Sequence, residues 1–257
     1  MASGPDARVG PHAAEPHRRG AQPAGPRAAF ELLWGQRSAG KRGPRPTLSA
    51  AEIARAGIAV ADADGLGAVT MQRVADDLGV TKMALYRYVP GKVELVALMI
   101  DTGMGEPPRL VEVAGGWRPR LRAWALGLFE LFQRHPWTLE ATVGVRVMGP
   151  NEVGWLEEAV AALAGTSLNG AQTLDVVVML VGHARNLAQQ TATPGGGSTE
   201  QAMGEAIAAL VRGREDRFPA LARALRSAAA SGAQDQALEF GFDRILDGVE
   251  LLIASRA

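Results

Sequence analysis

Apolar residues recur every three to four positions along almost the whole chain after residue 46, and this spacing constrains the fold more than any other feature. Pro and Gly residues interrupt the pattern, as at 90–91, 103–108 and 194–197. Such spacing buries one face of an α-helix, whereas a strand would need alternation of apolar and polar residues. The sequence therefore predicts an all-α fold. The predicted helices span 49–64, 70–78, 81–88, 92–102, 117–135, 151–164, 170–193, 198–213, 219–230 and 234–255.

Residues 1–46 differ in composition from the rest of the chain. They are rich in Pro, Gly, Ala and Arg, and only the apolar run at 30–36 interrupts this composition. Such a segment buries too little apolar surface to offset the entropy that it loses on ordering. We therefore expect 1–46 to be a mostly disordered basic extension, in which 30–36 can dock as one helical turn.

Charge and cysteine content narrow the class of protein. The chain has 27 basic and 27 acidic residues, with a small basic excess in residues 1–101 and a small acidic excess in 102–257. A basic front half is a weak indication of a polyanionic partner. The absence of Cys excludes disulfides, thiolate catalysis and zinc sites built on Cys. No apolar run approaches the ~20 residues that span a bilayer, and no signal-peptide core begins the chain, so we expect no membrane partner and a cytoplasmic location.

Two short helices separated by a glycine dominate the segment 47–102. Ser49 begins the helix before them with a capping box, and Thr70 and Thr81 are capping residues for the two short helices. Gly79 between them suits a left-handed turn position. Two short helices joined in this way, with a helix on either side, are typical of a three-helix helix-turn-helix bundle that binds DNA. Residues 103–257 are then a second, larger helical domain.

The second short helix would enter the major groove by its N-terminal end. There Lys82 is placed to read guanine or hold a phosphate, and Met83 and Ala84 to touch a thymine methyl group. Neighbouring hydroxyl, amide and basic groups are placed to hold phosphates, and two arginines of the extension to reach the minor groove. Buried filler for Tyr86, a solvated charge for Lys82 and a plain surface position for Arg73 remain alternatives, as does an idle linker role for the two arginines. The predicted DNA-binding residues are Arg42, Arg45, Thr70, Gln72, Arg73, Thr81, Lys82, Met83, Ala84, Tyr86, Tyr88 and Lys92.

Several short motifs match a known family pattern. Residues 69–75, 78–80 and 84–89, with the following Lys92, resemble the DNA-binding domain of the TetR (tetracycline repressor) family. The extension resembles that of one TetR subgroup at 32–35 and 42–46, and the rest of the chain resembles that subgroup's C-terminal domain at 135–137, 149–151 and 240–248. The resemblance covers 30–257. It implies a dimeric transcriptional regulator, with repression the usual mode, whose C-terminal domain responds to a small effector.

The second domain is rich in large apolar and aromatic side chains, which commonly line ligand cavities together with a few polar anchors. We expect a mostly apolar or aromatic effector with one or two polar groups. For the histidine among the candidates, a core or interface position is the alternative. The long helices 170–193 and 234–255 are predicted to pair across a two-fold axis in a homodimer. The predicted ligand-binding residues are Trp124, Phe132, Met148, Trp155, Met179, His183 and Asn186.

Two other classes of function stay open. An architectural DNA-binding protein would have no effector, but a helical half of this size exceeds what a dimer clasp needs. An all-α enzyme would carry the helix-turn-helix by chance, but the four histidines form no catalytic motif and no phosphate loop or metal-ligand spacing is present. We therefore predict no enzyme, no catalytic residues, no metal and no cofactor. The predicted partners are double-stranded operator DNA, a small effector and a second copy of the chain.

Overall fold

The computed structural model describes residues 25–35, 48–191, 199–231 and 236–256. Within these ranges the secondary structure is helical with no strand, so the all-α prediction is confirmed. Short 3-10 turns occur at Leu66–Ala68 and Leu110–Glu112. The α-helices are α1 (Pro26–Trp34), α2 (Ala50–Asp64), α3 (Met71–Asp77), α4 (Lys82–Tyr86), α5 (Lys92–Met104), α6 (Trp117–Arg134), α7 (Thr138–Ala141), α8 (Pro150–Ala162), α9 (Gly170–Thr191), α10 (Thr199–Val211), α11 (Pro219–Ser231) and α12 (Ala237–Ala254).

Helix starts in the N-terminal bundle follow the predicted capping residues. The Glu52 N–H donates to Ser49 Oγ at 3.2 Å and the Ser49 N–H donates to the Glu52 carboxylate at 2.7 Å, which completes the capping box of α2. Thr70 and Thr81 each accept a hydrogen bond from the N–H three residues on, at 3.1 and 3.2 Å. Gly79 between α3 and α4 has a φ of +64°, which would strain a residue with a side chain. The predicted tight turn between two short helices is present.

Two buried clusters divide the molecule. The first joins α2, α3, α4 and α5, and Ile53, Val74 and Leu85 are fully buried in it. The second joins α6, α8, α9 and α12 around the fully buried Leu180 and Phe242. A fully buried aliphatic or aromatic side chain stabilises a fold by roughly 1.5–3 kcal/mol. Each half of the molecule is therefore stabilised by an apolar core of its own.

The N-terminal extension contains a helix where composition predicted disorder. Helix α1 has nine residues, about two and a half turns, and it begins at Pro26, well before the single turn expected at 30–36. A proline in the first turn has the φ that a helix needs. The prediction of disorder is therefore wrong for 25–29, and the helical turn expected at 30–36 is present as part of this longer helix up to Trp34. Residues 1–24 and 36–47 lie outside the described residues.

Contacts with distant parts of the chain stabilise α1. The helix packs against α5, where Ala29 is buried. Before its first turn, the Gly25 N–H donates to the Glu94 carboxylate at 2.6 Å. At its other end, the Trp34 indole N–H donates to the Met148 carbonyl at 2.8 Å. Because Glu94 is fully buried, this hydrogen bond offsets part of the cost of desolvating its carboxylate.

Candidate functional site

Helix α4 presents polar and apolar side chains together on the surface of the N-terminal bundle. Leu85 on its inner face is fully buried, whereas Met83 on its outer face is 72% exposed. Tyr86 is 38% exposed, so it is not buried filler, and Lys82 Nζ lies 5.9 Å from the centre of its ring. Helix α4 therefore presents an apolar, a basic and a hydroxyl side chain together on the surface.

The other predicted DNA contacts surround α4 with varying exposure. The predicted contacts within the described residues that are exposed are Thr70, Gln72, Arg73, Thr81, Lys82, Met83, Tyr86 and Lys92. Ala84 and Tyr88 are half-buried, and Tyr88 packs against the bundle core. Arg42 and Arg45 lie outside the described residues. DNA contact by any of these residues stays a prediction.

Arg73 already has partners within the protein. Its guanidinium lies 3.3 Å from the Asp64 carboxylate and 3.4 Å from the Asp77 carboxylate, at about half exposure. A surface ion pair contributes about 0–1 kcal/mol, so a DNA phosphate can replace either carboxylate. Gln72 on the same helix donates to Asp76 at 2.7 Å.

A cavity of about 420 Å³ lies between α5, α6, α8 and α9, within the size range of small-molecule sites. Four of the predicted ligand-binding residues line it: Trp124, Phe132, Met148 and Trp155. The two tryptophan rings lie 6.5 Å apart between centroids, and the Trp124 indole N–H donates to the Trp155 carbonyl at 2.8 Å. The structure brings these four side chains together, and their binding of a ligand stays a prediction.

Charged side chains that the sequence analysis did not select also line this cavity. Arg146 and Glu152 form a two-pronged ion pair, with Arg146 Nη1 2.6 Å from Glu152 Oε2. Arg185 Nη1 donates to Thr142 Oγ1 at 2.5 Å, and Nη2 donates to the Leu139 carbonyl. Burial lowers the pKa of Arg185, and the neighbouring Arg146 lowers it further. The cavity therefore has an apolar wall with a few convergent charged groups.

Helical spacing on α9 explains which of its side chains reach the cavity. Val177, Val181 and Arg185 are four residues apart and line it together, because positions four apart share a helix face. A series of residues four apart that starts at Val177 therefore predicts that Arg185 lines the cavity and that the residues beside it do not. This was the signal in the sequence from which Arg185 could have been found.

Three predicted ligand-binding residues lie on other faces of α9 and do not line this cavity, and their contact with a ligand stays a prediction. His183 packs against α12: its Nε2 is 3.1 Å from the Leu238 carbonyl, and its ring meets Phe242 edge-on with centroids 5.0 Å apart. Met179 is 52% exposed in a groove between α9 and α12. Asn186 is exposed. For His183 the structure supports the alternative of a packed position, between α9 and α12 of the same chain.

Helix α5 connects the cavity to the N-terminal bundle. Ile100 and Met104 near its end line the cavity. Between them, Asp101 Oδ1 accepts the N–H groups of Asn151 at 2.8 Å and Glu152 at 3.2 Å, which caps the N-terminus of α8. Glu152 is also the ion-pair partner of Arg146, which lines the cavity. One carboxylate thus joins the last helix of the bundle to a wall of the cavity.

A second contact joins α2 to the turn between α6 and α7. His135 Nδ1 lies 2.8 Å from Asp62 Oδ1, and the Trp137 indole N–H donates to the same oxygen at 2.7 Å. Trp137 is buried in the core of the N-terminal bundle, although it follows α6 in the chain. The two halves are therefore joined by hydrogen bonds and by packing.

The outer faces of α9 and α12 carry large apolar side chains. Leu174 and Val178 on α9 are 50% and 68% exposed, and Phe240 and Leu251 on α12 are 61% and 72% exposed. A groove of about 450 Å³ runs between the two helices. So many exposed apolar side chains on one pair of helices are typical of an interface with another protein surface.

Neither a membrane-spanning helix nor a metal-ion site is present in the described residues. None of their helices is both long and apolar enough to cross a membrane. Their histidine and acidic side chains form no group of three that could hold a metal ion.

Both halves of the chain match families of known proteins. Residues 49–99 match the family described as bacterial regulatory proteins, tetR family, and residues 111–253 match the tetracyclin repressor-like C-terminal domain. The HTH-type transcriptional repressor DrrR1 of Streptomyces coeruleorubidus is 35% identical over 235 residues, which cover 88% of this chain and 86% of that protein.

Solved structures of another regulator have the same fold. Apo ActR of Streptomyces coelicolor superposes with a TM-score of 0.71 at 20% identity, over 82% of this chain and 99% of that one. ActR in complex with actinorhodin superposes with a TM-score of 0.66 at 22% identity, over 84% and 100% of the two chains. At these identities the likeness is one of fold.

Proposed function

The chain belongs to the TetR family of bacterial regulatory proteins and is a DNA-binding transcriptional regulator rather than an enzyme, and from that premise we propose that it is a homodimeric repressor. Residues 47–102 read operator DNA. Residues 103–257 form the dimer and bind a small apolar or aromatic effector, which releases the protein from DNA. Because bacterial operators lie in the cytoplasm, the protein works there.

The observation that carries this proposal is that α5 belongs to both candidate sites. It packs in the same buried cluster as α4, and its other end lines the cavity and caps α8. A molecule that fits the cavity better in one position of α5 shifts the protein toward that position. A tenfold loss of operator affinity requires about 1.4 kcal/mol of such coupling.

Two relatives favour repression controlled by a small molecule. DrrR1 is named a repressor. ActR has been solved in complex with actinorhodin and in complex with (S)-DNPA. These descriptions belong to those proteins, and they support the same mode of regulation for this chain because the fold is shared.

Operator recognition is assigned to α4 and the residues around it. Lys82, Met83 and Ala84 contact base edges, while hydroxyl, amide and basic groups nearby hold phosphates. Arg42 and Arg45 reach into the minor groove. The predicted phosphate contacts are Thr70, Tyr86, Tyr88 and Lys92, and the other predicted DNA-binding residues are Gln72, Arg73 and Thr81.

Dimerisation is assigned to the exposed faces of α9 and α12. Val178 and its apolar neighbours would be buried against a second copy of the chain, which also fills the groove between the two helices. Gly182 and Gly248 are exposed, and a Cβ at either position would meet nothing within 4 Å in this chain. The fold of one chain therefore does not require glycine there, whereas close approach of a partner helix would.

The experiment starts from selection of bound sequences out of a random pool of double-stranded DNA. The selected operator is labelled for fluorescence anisotropy, and compounds that quench tryptophan fluorescence are then added. We expect a specific operator and at least one cavity-binding compound that lowers operator affinity tenfold or more. Specific binding that no cavity-binding compound alters would favour the alternative of a DNA-binding protein without an effector.

A further inference from the structure

The charges that line the cavity do not balance. The guanidinium of Arg146 is neutralised by the Glu152 carboxylate. Arg185 has only uncharged acceptors, the Thr142 hydroxyl and the Leu139 carbonyl, and no described carboxylate lies within ion-pair distance of it. Its lowered pKa has burial and the second arginine as its causes. The cavity therefore carries one positive charge that the described residues leave uncompensated.

Two buried N–H groups of cavity residues lack acceptors as well. Trp155 Nε1 and Arg146 Nε have no hydrogen-bond partner in the described part of the chain, and both side chains line the cavity. Trp155 is 8% exposed, so its indole N–H is almost fully removed from solvent. Both atoms are also shielded from the open space of the cavity, so a bound molecule would reach them only if neighbouring side chains moved. The Arg185 guanidinium is therefore the charged donor that a bound anion meets.

We propose that the effector is an aromatic molecule with an anionic oxygen group, which pairs with the Arg185 guanidinium. The inference rests on the proposed function, whose effector it narrows to one chemical class. A carboxylate matches the fork of a guanidinium and makes charge-assisted hydrogen bonds to it. The Arg185 guanidinium already lies 5.6 Å from the centre of the Phe132 ring, and Trp124 is in the same wall, so an aromatic body can pack beside the charge.

The test compares two probes with the same ring system and similar size, of which one is anionic and the other uncharged. Anthraquinone-2-carboxylate and the uncharged anthraquinone-2-carboxamide are titrated into the full-length protein by isothermal calorimetry. We expect the carboxylate to bind at least about tenfold more tightly, since hydrogen bonds to charged groups are the strong ones. Arg185→Gln should abolish this preference and leave the affinity for the carboxamide unchanged. Arg134→Gln, at an exposed arginine of α6 outside the cavity, is the matched control and should retain it.

Arg185→Lys keeps the positive charge and removes the planar guanidinium fork. It should reduce the preference for the carboxylate without abolishing it, and it keeps the test available if Arg185→Gln does not fold. Equal binding of the two probes to the native protein, or an undiminished preference in Arg185→Gln, would overturn the anionic class and leave the cavity as an effector site. Failure of both probes to bind would count against the cavity itself and thus against the proposed function.

Discussion

The DNA-facing bundle and the cavity domain place their polar side chains on opposite sides of an apolar core. In the bundle, Lys82 and Met83 are exposed over the fully buried Leu85. In the cavity domain, Arg146 and Arg185 line an interior space. An exposed polar surface can meet DNA without rearrangement, whereas the charge of Arg185, which no described carboxylate balances, gains a charged partner only when a molecule enters the cavity. We therefore expect the response to a small molecule to begin in the cavity domain.

The largest effect is expected from a substitution in the cavity domain that separates the proposed dimer and thereby abolishes DNA binding. Val178 is 68% exposed, so Val178→Glu should leave the folded chain intact. In the proposed dimer it would bury an unpaired carboxylate, at a cost on the order of 3–5 kcal/mol. We expect monomers in light scattering and operator affinity lowered by at least about a hundredfold, because two half-sites are no longer held together.

Val111→Glu is the control for this change, since Val111 is 75% exposed outside α9 and α12. It should remain dimeric with normal operator affinity. A dimeric Val178→Glu variant with full affinity would contradict the assigned interface. Val249 is no substitute for Val178, because it is 5% exposed and a charge there would disrupt the core.

Lys82→Ala tests the proposed DNA contact of the N-terminal bundle. If the lysine contacts a base edge, its loss should cost about 1–3 kcal/mol of operator binding and relax specificity at one base pair. The circular dichroism spectrum and dimerisation should be unchanged, because the side chain is exposed. Operator affinity equal to that of the native protein would remove α4 from the interface.

The basic residues before α2 should have a smaller effect, visible in the salt dependence. Joint replacement of Arg42 and Arg45 by Ala should reduce the slope of log affinity against log salt by roughly one to two, because fewer counterions are released. The double variant is preferable to deletion of residues 1–46, because a deletion also removes α1 and its hydrogen bond to buried Glu94. An unchanged slope would make this segment a passive linker.

The smallest expected effect concerns Asp101, where the two regions meet. Burial raises the pKa of Asp101 above its ordinary value, although hydrogen bonds from the Glu152 and Asn151 N–H groups lower it in part. The folded chain therefore holds this proton more tightly than the unfolded chain does. The resulting stabilisation is complete below the ordinary pKa and is lost as pH rises through the raised pKa.

Asp101→Asn keeps an acceptor for both N–H groups but cannot titrate. Relative to this variant, the native protein should lose free energy of unfolding as pH rises through that window, as measured by urea titration. A difference of the opposite sign, or none, would contradict the assignment of the raised pKa to this carboxylate.

The helix-turn-helix could be predicted because its signals are local. Thr70 and Thr81 cap helices by bonds to residues three positions away, and Gly79 has the backbone conformation that glycine favours. Helix α1 could not be predicted in this way. Its hydrogen bonds reach Glu94 and Met148, 69 and 114 residues along the chain, and composition carries no trace of such contacts.

Part of the cavity lining could also be predicted from local signals in the sequence. Trp124 and Trp155 were predicted correctly to line the cavity because large aromatic side chains in an apolar helical pattern commonly do so. The role of Arg185 depends on acceptors 43 and 46 residues away, so the sequence offers only its place on a helical stripe. His183 was selected as a polar group in an apolar helix, and packing against α12 is the competing explanation that the structure supports.

Thermodynamic linkage tests most directly whether the cavity and the DNA-reading bundle are coupled. Operator affinity is measured with and without a saturating cavity-binding compound, and the affinity for that compound is measured with and without saturating operator. Because coupling is reciprocal, both ratios should show the same factor, tenfold or larger, with the compound and the operator each weakening the binding of the other. Tight binding of the compound with both ratios equal to one would contradict this coupling.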